Sequence, residues 1–81
     1  MNFNKTGPNS ACTDSFEVKI SKRDELQYIE NNIITTIPIE IGVDRVVAIA
    51  TSKLPSLKRK EIKEGIDEAM EFLSIPHRFD L

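Results

Sequence analysis

Cysteine is almost missing from this chain. Cys12 stands alone, which excludes an intrachain disulfide and any zinc site built from several thiolates. An excess of one charge sign is missing too. Lys and Arg number 11 against 13 Asp and Glu, for a formal net charge of −2. No global field therefore draws the chain to nucleic acid or an anionic membrane, although a local patch can act against the net value. No stretch approaches the roughly 20 apolar residues that a bilayer-crossing helix needs. The first residues lack the basic start and apolar run of a secretory signal. The nucleophile elbow, the Walker sequence and the EF-hand loop do not occur, nor does an internal repeat. These absences set the expectation of a cytoplasmic, non-catalytic protein with no cofactor and no metal.

Composition, at 40% hydrophobic and 30% charged, is that of a globular protein rather than a disordered one. With 81 residues there is room for one small domain, which buries only about 60–65% of its unfolded surface. Homodimerisation would be a natural remedy for so thin a core.

The clearest pattern lies in the last third. Ile62, Ile66, Ala69, Met70 and Leu73 form one stripe at helical spacing, opposite Glu61, Lys63, Glu64, Asp67, Glu68 and Glu71. The spacing predicts a long amphipathic helix over residues 56–73, stopped by Pro76. Gly65 within it costs about 1 kcal/mol relative to Ala. Either a close approach by another element or chance accounts for it.

Upstream, Phe16, Val18 and Ile20 alternate with Ser15, Glu17 and Lys19, which predicts a half-buried strand over residues 15–20. Ser21 with Asp24 three residues on suits a helix start. That helix would run over residues 22–32, with Leu26, Ile29 and Ile33 inward and Asn31-Asn32 at its end. Residues 33–41 are β-branched and read as a second strand, which Pro38 confines to an edge or an irregular course. A helical continuation competes. Residues 43–53 carry Val46, Val47, Ile49 and Ala50 in a pattern that fits a short buried helix.

The expected fold is thus a small α+β domain with one or two short strands and about three helices. Residues 1–14, rich in Asn, Thr, Ser, Gly and Pro, form a flexible arm; residues 15–74 form the domain; residues 75–81 form a tail.

Candidate functional residues are few. His77, the only histidine, has no recognisable catalytic partner, and with Arg78 it suits the negative end of a helix. The acidic residues of the last helix interleave with Lys60 and Lys63, and Lys60–Glu64 and Lys63–Asp67 stand at pairing distance, which reads as a solvated face. Lys58, Arg59 and Lys60 open that helix against its dipole. With Lys53 nearby they are candidates for a phosphate- or carboxylate-binding patch. Phe79 and Leu81 either fold back onto the core or anchor the tail in a partner's groove.

A strand with polar residues on one side, followed by two helices, is similar in pattern to the ribbon-helix-helix repressors. That resemblance covers residues 15–53 only. It implies a dimer whose paired strands enter the major groove, with Ser15, Glu17 and Lys19 reaching the bases. The interval from Asn32 to Asp44 is long for the turn in that fold, and Glu17 would repel phosphate unless it reads cytosine. The leading expectation is therefore a small regulatory protein that binds another protein, through Lys58, Arg59, Lys60, Phe79 and Leu81. A DNA-binding regulator is the alternative.

Overall fold

The computed structural model describes residues 2–54 and 56–79, with Lys53 by its backbone alone. Seven strands form one curled sheet in chain order: β1 (Asn4–Gly7), β2 (Ser10–Cys12), β3 (Glu17–Lys22), β4 (Glu25–Glu30), β5 (Ile33–Ile41), β6 (Val47–Ile49) and β7 (His77–Phe79). A 3-10 turn at Thr51–Lys53 and a single helix, α1 (Arg59–Phe72), come between β6 and β7. Neighbouring strands are antiparallel except β6 and β7, which are parallel. The expected α+β arrangement is therefore wrong. The molecule is mostly sheet, with one helix where three were expected.

The alternation that predicts a strand near residue 15 does produce β3. Beyond it, the expected helix over residues 22–32 is β4. Leu26 and Tyr28 point inward at period two, 0% and 3% exposed. Ser21 caps no helix; its hydroxyl donates to the Glu25 carboxylate at 2.6 Å, across the tight turn that joins β3 to β4. Asn31 and Asn32 end no helix either. Both have positive φ, 53° and 64°, and they connect Glu30 to its partner Ile33. Left-handed backbone at both central positions is the type I′ hairpin, which asparagine tolerates better than most residues.

β5 is an interior strand, not an edge. Pro38 sits where β5 exchanges one partner for the other. It is opposite Glu25 in β4, and Ile39 is already opposite Ile49 in β6. The missing N–H falls at this handover, while the Pro38 carbonyl accepts from Ala50 N–H at 3.0 Å. The helix expected over residues 43–53 is a turn followed by β6. The run from Val47 to Ala50 is buried throughout, because the strand lies between β5 and β7.

Residues 2–14, expected as part of a flexible arm, belong to the folded domain. Asn4–Cys12 holds the β1–β2 hairpin, Ala11 is fully buried, and Phe3 packs edge-on to Phe16 (5.8 Å) and stacks on Phe72 (5.6 Å). Their polar composition belongs to a short hairpin at the sheet edge. The tail also folds back: Ile75 and Phe79 pack against the core and β7 extends the sheet. Leu81 lies outside the described residues.

The long helix forms as read, beginning at Arg59 rather than residue 56. Ile62, Ile66, Ala69 and Met70 are buried against the sheet with Val18, Leu26, Ile37, Ile39 and Ile49. Each of these side chains larger than alanine contributes on the order of 1.5–3 kcal/mol. α1 lies across β2 and β3. Gly65 permits this approach, since a Cβ there would stand 3.0 Å from Phe16 Cζ and 3.2 Å from Tyr28 Cε2. The helix ends in a Schellman motif: Ser74, at φ 58°, donates to the Glu71 carbonyl and Ile75 N–H to that of Met70. Among the described residues, no helix is long and apolar enough to cross a membrane.

Candidate functional site

Three elements meet around a cleft of about 420 Å³. The first is the turn after β2. Thr13 Oγ1 accepts from the N–H groups of Ser15 (3.1 Å) and Phe16 (3.2 Å), and this local turn presents Asp14 and Ser15 at the rim. The second is the end of β4, which supplies Tyr28 and Glu30. The third is α1, where Glu61, Glu64 and Glu68 stand at i, i+3 and i+7 on one stripe beside Gly65. Phe16 and Tyr28, stacked at 5.1 Å, close the bottom.

The cleft is acidic. Five carboxylates line it: Asp14, Glu30, Glu61, Glu64 and Glu68. Glu30 faces the Lys58 ammonium at 3.7 Å; the other four form no ion pair among the described residues. Tyr28 is 97% buried, and its hydroxyl makes no hydrogen bond among the described residues. Burial, then the charges of Glu30 and Glu61, push the phenol up to about 12. Its oxygen thus stays protonated beneath the rim, able both to donate and to accept. No three His, Cys, Asp or Glu among the described residues come close enough to hold a metal ion. The carboxylates are spread around the opening rather than converging on one point.

The residues singled out in the sequence are scattered. Ser15 reaches the rim of the cleft. Glu17 and Lys19 lie on β3 between β2 and β4, so both edges of that strand are already paired. No edge is left to pair with a second copy, and the ribbon-helix-helix arrangement does not form. Glu17 accepts from the Thr6 hydroxyl at 3.0 Å.

Each residue of the basic trio has its own neighbours. Lys58 faces Glu30; Arg59 Nη2 donates to the Leu54 carbonyl at 3.2 Å. Lys60 shares a shallow second cleft with Lys63, Glu64, Asp67 and Phe79. There the Lys63 ammonium lies 5.3 Å from the centre of the Phe79 ring. The side chain of Lys53, like Leu81, is outside the described residues.

The expected Lys63–Asp67 pair is replaced by another. His77 Nε2 stands 2.6 Å from Asp67 Oδ1, and Nδ1 is 2.9 Å from the Ile75 carbonyl. Both ring nitrogens stand at hydrogen-bond distance from an oxygen. His77 therefore ties β7 to α1 rather than complementing the helix end.

Asp14, Tyr28 and Glu30 were not among the sequence candidates. The one available signal was the i, i+3, i+7 spacing of Glu61, Glu64 and Glu68 around a glycine. No known protein family matches this chain, and no curated protein or solved structure does.

Proposed function

We propose that this is a non-catalytic binding protein whose acidic cleft receives a basic segment of a partner protein. The observation that carries the reading is a cleft lined by five carboxylates, four of which form no ion pair among the described residues. Helix stability accounts for Glu61, an acid in the first turn of α1, and not for Glu64 or Glu68. α1 begins with Lys58 at its cap and Arg59 and Lys60 in its first turn, and it has no basic residue in its last, the reverse of what its dipole favours. Like charges gathered on one face repel one another, and a cationic ligand relieves that repulsion. Engagement of both His77 nitrogens supports a non-catalytic role, since neither is left to take a proton from a substrate. The reading places the protein in the cytoplasm, where a lone, half-buried Cys12 thiol suits a reducing medium.

The test uses a nonapeptide of alternating Lys, Arg and Ser. Its binding is followed through the fluorescence of Tyr28, the sole tyrosine in a chain without tryptophan. Affinity should fall as salt rises, and should drop at least tenfold in the double variant Glu61→Lys, Glu64→Lys. Equal binding by that variant would remove the cleft from the reading.

A further inference from the structure

The sheet ends at β7 in an open strand edge. Val47 N–H donates to the Pro76 carbonyl at 2.9 Å, and Val47, Ala48 and Ile49 stand opposite His77, Arg78 and Phe79 in parallel register. Such a ladder turns the N–H and C=O of Arg78 toward β6, and those of His77 and Phe79 away from it. β7 is the last strand in the sheet order. The outward backbone groups of His77 and Phe79 therefore have no strand beside them, and they bond to no other element among the described residues. Along this edge runs the cleft of about 370 Å³ that has Phe79 on one side and Lys60, Lys63, Glu64 and Asp67 of α1 on the other. It is distinct from the acidic cleft. At about 100° per residue, Lys60, Lys63 and Asp67 fall on one flank of the helix and Glu61, Gly65 and Glu68 on the other.

We infer that β7 is a docking edge, on which an extended acidic segment of a partner protein adds as a further strand with its carboxylates at Lys60 and Lys63. Unpaired N–H and C=O groups along a strand are a template for another chain, and a cleft beside them receives its alternate side chains. Charge selects the occupant. Asp67 is engaged by His77 at 2.6 Å, whereas neither Lys60 nor Lys63 forms an ion pair among the described residues. The Lys63 ammonium instead lies 5.3 Å from the centre of the Phe79 ring. Against these two cations stands Glu64 alone, so the cleft favours a carboxylate over an ammonium. The opposite sheet edge is less suited. β1 carries Lys5 and an irregular register between Lys5 and Gly7, both of which discourage pairing.

The probe is a capped hexapeptide of alternating Glu and Val, titrated into the intact protein and followed by amide resonances and amide hydrogen exchange. Saturation should slow exchange at His77 and Phe79 about tenfold and leave Arg78, already turned to β6, unchanged. The Ser15 amide, at the acidic cleft, should not shift. The double variant Lys60→Gln, Lys63→Gln alters two exposed side chains. It should keep its thermal midpoint and bind the peptide about tenfold more weakly. A second peptide with Lys in place of Glu should leave His77 and Phe79 unprotected. Binding without protection at those two amides would overturn the inference, as would no binding at all. Equal protection by the lysine peptide, or in the double variant, would overturn it too. None of these results bears on the acidic cleft, which is tested by its own cationic peptide.

Discussion

The phenol of Tyr28 lies beneath Glu30 and Glu61, and its shift from an ordinary value near 10 to about 12 follows from burial first and those two charges second. The sign of the consequence is fixed. Below pH 10 the phenol is protonated in both folded and unfolded chains, and the full stabilisation is present. Between pH 10 and about 12 the unfolded chain releases its proton while the folded one keeps it. Stability therefore falls as pH rises, by at most about 1.4 kcal/mol per unit from this group. Because Tyr28 is the only tyrosine, phenolate absorbance reads it alone. The expected midpoint is near 12 in the folded protein, and a midpoint near 10 would mean that the hydroxyl is open to water.

At the scale of elements, the seating of α1 on the sheet depends on Gly65. A leucine there would gain helical propensity, but it would drive its side chain into Phe16 and Tyr28, which already meet the position of a Cβ at 3.0–3.2 Å. Gly65→Leu should cost about 1–3 kcal/mol net, read as a lowered thermal midpoint; an unchanged midpoint would show that the rings can yield.

The same elements show how far the sequence could be read. β3 and α1 were legible, because each has one buried face and a single period fits it. β4 was not: Leu26, Ile29 and Ile33 satisfy a helical spacing as well as Leu26 and Tyr28 satisfy a strand. The Asn31-Asn32 turn that decides between them also looks like a helix stop. Val46 to Ala50 is apolar without interruption, and such a run is alike in a buried strand and a buried helix. Of the site, the stripe of Glu61, Glu64 and Glu68 was visible. Its approach to Asp14 and Glu30 depends on contacts between distant parts of the chain, which no local pattern encodes.

For the molecule as a whole, residues 75–79 complete the core. Removing everything after Ser74 would strip β7 from β6, take the His77–Asp67 bond from α1 and uncover the core beside Ile75 and Phe79. Thermal unfolding followed by circular dichroism should show a loss on the order of 3–5 kcal/mol, a large share of what so small a domain possesses. An unchanged midpoint would show that the tail is not part of the core.

The parallel pairing of β6 with β7 also bears on how the chain reaches this state. Strands β1 to β5 join by tight hairpins between sequence neighbours, contacts that close in microseconds. β6 is buried along its whole length, yet its second neighbour arrives only after α1 has been built and laid across the sheet. Contacts so far apart in sequence carry a loop-closure entropy that local hairpins avoid. Refolding should therefore be paced by docking of the helix and β7, with the meander already paired and β6 still exposed while it waits.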